Sequence, residues 1–131
     1  MTFRAEIANY QDALIHSVQE LVQIKSVHEP ALPGKPYGEG VDQALRYVLS
    51  LAESMGFATQ DLDGYCGYAE YGEGDLYIGV LSHVDVCPEG EMWGVPPYGG
   101  VIQDNRIYGR GALDNKGPLL AALYALKMVE D

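Results

Sequence analysis

Basic residues are scarce: 8 lysines and arginines stand against 19 aspartates and glutamates, a formal charge of −11. A surface this acidic repels phosphate backbones and anionic lipid, which argues against nucleic acid and membrane surfaces as partners. Cysteine is equally sparse. Cys66 and Cys87 form neither a disulfide framework, nor a Cys-x-x-Cys pair, nor a zinc knuckle, so reduced thiols are expected. No apolar stretch approaches the roughly 18 residues of a membrane-spanning helix, and Met1-Thr-Phe-Arg-Ala-Glu6 lacks the basic-then-apolar plan of a secretion signal. A cytoplasmic location is the expectation. Internal repeats, low-complexity tracts and linkers are also missing.

What is present is an ordinary globular composition, 47% apolar and 21% charged over 131 residues, enough for one core and not for two. Ile7, Tyr10, Leu14, Val18 and Leu21 recur at intervals of three and four, which predicts an amphipathic helix over roughly residues 3–24. His16 lies off that stripe and reads as solvated. Prolines and glycines make residues 26–40 a loop, and His28 within it a surface histidine. Val41, Leu45, Val48, Ala52 and Met55 predict a second helix stopped by Gly56. Residues 57–62 and 65–71 read as strands. Val101-Ile102 and Arg106-Ile107-Tyr108 flank a turn-prone Gln103-Asp104-Asn105, the pattern of a short hairpin. Pro118 suits the first turn of a third helix that continues through Leu119, Leu123 and Leu126. The 10 tyrosines read as core and edge packing, since a base-stacking platform conflicts with the net charge.

Between these elements lies the stretch with chemical content, Leu76-Tyr-Ile-Gly-Val-Leu-Ser-His83-Val-Asp85. Its apolar run predicts a buried strand with both faces covered. The expected fold class is therefore α/β, a mixed β-sheet with helices packed on its faces and the strand ending at Leu81 inside the sheet. Residues two apart on an extended chain point the same way, so Asp85 can accept the second N–H of the His83 ring. Such a carboxylate fixes the tautomer of a metal-binding histidine, and imidazole and carboxylate are the usual non-thiolate zinc ligands. Asp114 follows Gly109 and Gly111 at the start of the third helix. Taken alone, His83-x-Asp85 also fits a structural pair, and Asp114 fits a helix cap.

Several motifs in order carry a resemblance. His83-Val-Asp85-Val-Cys-Pro88, Trp93, Pro97-Tyr98, Ile107-Tyr-Gly-Arg-Gly111 and Asp114-Asn-Lys-Gly-Pro118 resemble the dinuclear zinc peptidase family. That family includes glutamate carboxypeptidase, acetylornithine deacetylase, succinyl-diaminopimelate desuccinylase, aminoacylase and the bacterial dipeptidases. Upstream, Pro36-Tyr-Gly38, Ala44-Leu45, Gly56-Phe57 and Asp63-Gly64-Tyr65 look like its dipeptidase V branch. The resemblance implies two zinc ions, or cobalt or manganese in their place, in a full-length parent. It makes His83 a ligand of one ion, Asp114 the bridge between both, and Asp85 the catalytic residue that orients His83. It also implies a cis peptide bond at Asp114–Asn115, although Asn115 departs from the aspartate or methionine usual there. Lys116 and Arg110 match the motif as loop-bracing or solvated charges. Trp93 and Tyr98 read equally as walls of the approach to the metals or as core. Cys87 occupies a position usually held by a small apolar residue and reads as a core filler, with a perturbing role beside the metal as the other reading.

In that family the Glu-Glu pair supplying the general base and a ligand, a further acidic ligand and a late histidine all lie well beyond the bridging aspartate. Residues 1–131 are therefore expected to be an N-terminal fragment of the catalytic domain, without its lid domain or C-terminal half. The parent is expected to hydrolyse dipeptides or short peptides, while the fragment is expected to be inactive, to hold zinc weakly or not at all, and to self-associate. Deacylation or desuccinylation of N-acyl amino acids is the alternative activity, and a complete non-enzymatic domain with a degenerate site is the alternative of another class.

Overall fold

In the computed structural model, which describes residues 3–130, three helices carry the core. Helix α1 is Phe3–Gln23 and helix α2 is Glu39–Ser54. Val18, Leu21 and Val22 of α1 meet Ala44 and Ala52 of α2 in one buried cluster with Phe57. The predicted stripe on α1 is covered only toward its C-terminal end, since Ile7 is 50% exposed while Leu21 and Val22 are fully buried. Gly56 stops α2 as expected: it takes φ +97, and the N–H groups of Gly56 and Phe57 return to the carbonyls of Glu53 and Ala52.

Beyond α2 the chain forms a hairpin of strands β1 (Ala58–Leu62) and β2 (Cys66–Glu70), paired antiparallel with Leu62 opposite Cys66. Asp61 accepts the Gly64 N–H at 2.7 Å and so fixes the turn. A second hairpin joins β3 (Val101–Gln103) to β4 (Arg106–Tyr108). Its two turn residues, Asp104 and Asn105, both have positive φ, the requirement of a type I′ turn. Next comes a π-helical turn, Ala112–Lys116, and then α3, Gly117–Glu130. Helix α3 packs on α1 through Leu120 and Leu123. A buried 2.8 Å hydrogen bond between the hydroxyls of Ser17 and Tyr124 ties the same two helices.

The α/β class holds, but the sheet differs from expectation. Two separate antiparallel hairpins take the place of one mixed sheet. Leu76–Leu81 is not a strand at all: it is irregular, with Leu76, Ile78 and Leu81 at 94%, 97% and 99% exposure. Apolar side chains create a demand for burial, whereas a strand also needs neighbours for its N–H and C=O groups. Among the described residues none pairs with this segment. Ordered contacts resume just after it, where Val86 N–H donates to Ser26 O at 3.0 Å and the Ser26 hydroxyl donates to Val84 O at 2.6 Å. Among the described residues no helix is long and apolar enough to cross a membrane.

Two outcomes are expected. Phe57, only 5% exposed in the core, loses its packing on replacement by alanine, and Phe57→Ala lowers unfolding free energy by about 3–5 kcal/mol in urea denaturation. The uncovered run at 76–81 drives self-association of the isolated chain, and Ile78→Lys reduces it. Light scattering that finds a monodisperse monomer at high concentration contradicts this.

Candidate metal centre

His83 stands between two carboxylates. Its Nδ1 lies 3.1 Å from Asp85 Oδ1 and 3.1 Å from the Asp85 carbonyl, while Nε2 lies 3.1 Å from Asp114 Oδ1. All three side chains are exposed, Asp114 most of all at 83%. Partial burial of the ring works against its cation. The hydrogen bonds and charges of Asp85 and Asp114 outweigh that effect and raise the His83 pKa above its ordinary value.

Asp114 owes its position to the turn that carries it. The Lys116 N–H donates to Gly111 O at 2.9 Å and closes the 111–116 loop. Within it Asp114 and Asn115 leave helical geometry, and the bond between them is cis, as the resemblance implied. Gly111 has φ +91, and a Cβ there would lie 2.6 Å from Val86 Cγ1 and 3.1 Å from Lys116 Cδ, so only glycine fits. Just after Asp114 the loop is tied to the His83 segment, because Asn115 Nδ2 donates to Ser82 Oγ at 2.6 Å. One residue further it is tied to α1. Lys116 is wholly buried, and its ammonium donates to Leu21 O at 2.9 Å and Ile24 O at 2.7 Å. Burial brings its pKa down to about 8.

The donor set suits zinc. Two donors at zinc bond lengths of about 2.0–2.2 Å in a tetrahedral arrangement lie roughly 3.3–3.6 Å apart, so a small widening of the 3.1 Å between His83 Nε2 and Asp114 Oδ1 would admit the ion. Asp85 faces the other ring nitrogen, the place of an orienting partner and not of a third ligand. Accordingly, no group of three or more His, Cys, Asp or Glu side chains among the described residues is arranged to hold a metal ion.

The remaining sequence candidates sit elsewhere. Trp93, Tyr98 and Arg110 all bind Glu89, a residue that the sequence did not single out. Trp93 Nε1 and Arg110 Nη2 donate to its carbonyl at 2.7 and 3.2 Å, and the Tyr98 hydroxyl donates to its carboxylate at 2.8 Å. Lys25 completes the cluster with a 2.8 Å ion pair, which with its own backbone and Tyr98 draws the Glu89 pKa down to about 2. Arg110 also lies over the Trp93 ring, and it braces a loop as one of its two readings had it. Cys87 is exposed and free, not a core filler, because the segment around it runs along the surface. His28 packs edge-on to Tyr37, and His16 pairs with Glu20 in solvent.

Residues 79–131 match the model of Peptidase family M20/M25/M40, a span that contains His83, Asp85 and Asp114. Over that span the chain is similar to this family. The chain is 49% identical over 133 residues to a Bacillus subtilis (strain 168) protein named "Putative dipeptidase YtjP", covering 100% of this chain and 29% of that one. A Staphylococcus saprophyticus protein named "Putative dipeptidase SSP1012" is 40% identical over 98% of this chain and 28% of its own length. The crystal structure of human carnosine dipeptidase 1 superposes with a TM-score of 0.71 at 25% identity, over 95% of this chain and 29% of that one. The chain thus spans under a third of the length of these relatives.

The raised His83 pKa has a pH signature. Protonated His83 stabilises the fold fully below its unfolded value of about 6.5, and that contribution is lost as pH rises through the higher folded value. In metal-free protein, NMR titration is expected to place the imidazole above its ordinary pKa and to move it downward in Asp85→Asn. An unaltered His83 that titrates at or below the ordinary value contradicts the geometry.

Proposed function

We propose that this chain supplies the histidine–aspartate half of a zinc site in a dipeptidase, with His83 and Asp114 as ligands and Asp85 as the residue that orients His83. The observation that carries this reading is the placing of the two His83 ring nitrogens 3.1 Å from two different carboxylates. In the neutral ring that Asp85 selects, Nδ1–H donates to Asp85 and the Nε2 lone pair is directed at Asp114. A neutral His83 is the binding form, so metal and proton compete for the space between Nε2 and Asp114. Zinc, when bound, polarises a carbonyl and lowers the pKa of a water ligand. The names of the Bacillus and Staphylococcus relatives and of carnosine dipeptidase support dipeptides or short peptides as substrates.

His83 and Asp114 are two ligands where a catalytic zinc takes about three. We assign residues 1–131 to the N-terminal part of a catalytic domain in a cytoplasmic enzyme. Further ligands and the general base would come from other parts of that enzyme.

Full-length protein supplied with zinc, manganese or cobalt is expected to hydrolyse dipeptides in preference to N-acyl amino acids. His83→Ala and Asp114→Ala are each expected to lower kcat/KM by at least about 100-fold, the scale on which loss of a positioned polar group acts. Preferential turnover of N-acyl amino acids overturns the dipeptidase assignment. The 131-residue chain alone is expected to turn over neither substrate, and tight stoichiometric zinc binding to it, abolished by His83→Ala, would show that the half-site suffices.

A further inference from the structure

Lys116 is a buried cation whose observed partners are carbonyl oxygens. Its ammonium lies inside the protein at 0% exposure, and it donates to Leu21 O and Ile24 O, at and just beyond the last turn of α1. Carbonyls at a helix C-terminus lack intrahelical donors and carry the negative end of the helix dipole. They offset part of the cost of burying a positive charge. The same residue's N–H closes the loop on Gly111 O. Lys116 therefore grips the turn by its backbone and α1 by its side chain, with Asp114 between the two ends of that loop. The Gly111 position shows how closely the lysine stem is fitted, since a Cβ there would crowd Lys116 Cδ at 3.1 Å.

We infer that Lys116 is a positioning residue, which anchors the Asp114 loop to the end of α1 so that the Asp114 carboxylate faces His83. The inference deepens the zinc reading and rests on it for its functional meaning, while the anchoring itself can be measured without metal. Its opposite number is the Asn115–Ser82 hydrogen bond, which ties the next residue to the His83 segment. Asp114 itself is exposed and makes its contact through one oxygen. Its aim is set by these two neighbours in sequence.

The test compares Lys116→Met, which keeps the length and loses the donors, with Lys116→Arg, which keeps charge and donors. A core variant, Phe57→Leu, controls for general loss of stability. In the metal-free full-length protein, amide exchange of Ala112 and Lys116 is expected to accelerate about tenfold or more in Lys116→Met. Lys116→Arg is expected to lie between Lys116→Met and the unaltered protein, and Phe57→Leu to leave these amides near their original rates. Zinc affinity, read by competition with a chelator, is expected to weaken about 10–100-fold in Lys116→Met, the scale of lost outer-shell support, and to change little in Phe57→Leu. If Lys116→Met does not fold, Lys116→Arg against the unaltered protein carries the same comparison at smaller amplitude. Unchanged exchange in the folded lysine variants overturns the inference, as does an equal loss of zinc affinity in Phe57→Leu. An unaltered protein that binds no zinc removes the zinc reading alone, and the exchange comparison then decides whether Lys116 anchors the loop.

Discussion

The end of α1 leaves carbonyl groups that need donors; Ile24 N–H reaches Leu21 O at 3.2 Å, and the buried ammonium of Lys116, from the loop packed against that end, donates to both Leu21 O and Ile24 O. Several other features follow from this single contact. It is fitted to Gly111, where a Cβ would meet Val86 Cγ1 at 2.6 Å and the lysine stem at 3.1 Å. It also fixes the start of α3, since the residue after Lys116 begins that helix and Leu120, one turn further, is wholly buried. Asp114 and its orientation toward His83 are held from this end by the same loop.

Local features of the fold were legible where one residue type decides a backbone conformation. Gly56 ends α2 because its left-handed geometry allows the closing hydrogen bonds, and Asp104-Asn105 tolerate the positive φ of a tight hairpin turn. Leu76–Leu81 was misread for a different reason. Its side chains specify that the segment should be covered, yet nothing in six apolar residues names the strands that would pair with it. The separation of the two hairpins was illegible on the same grounds, for strand pattern gives no pairing partner beyond a tight turn.

The candidate site divides in the same way. His83 and Asp85 were legible because two positions along an extended chain share a face, and the structure keeps them 3.1 Å apart. The approach of Asp114 came from family resemblance and not from spacing. Glu89 carried no signal, since Lys25 and Arg110 reach it from 64 and 21 residues away and only the folded chain brings them to it beside Trp93 and Tyr98 of its own segment. Lys116 was half legible. Its match to a motif suggested loop bracing, but its burial depends on carbonyls more than ninety positions earlier, the separation being 95 for Leu21 and 92 for Ile24.

Those separations also set an order of events for a newly made chain. Helix α1 is made before α2 and α3, yet its fastenings arrive late: Lys116 with partners 95 and 92 residues back, and Tyr124 with Ser17 107 residues back. Contacts so distant in sequence carry a large loop-closure cost and slow folding. Until α3 has left the ribosome, α1 has α2 beside it but not the lysine or the tyrosine that hold its C-terminal half. The earliest made of these three helices thus belongs among the last to be secured, and a nascent chain halted short of residue 116 would hold α1 against α2 alone.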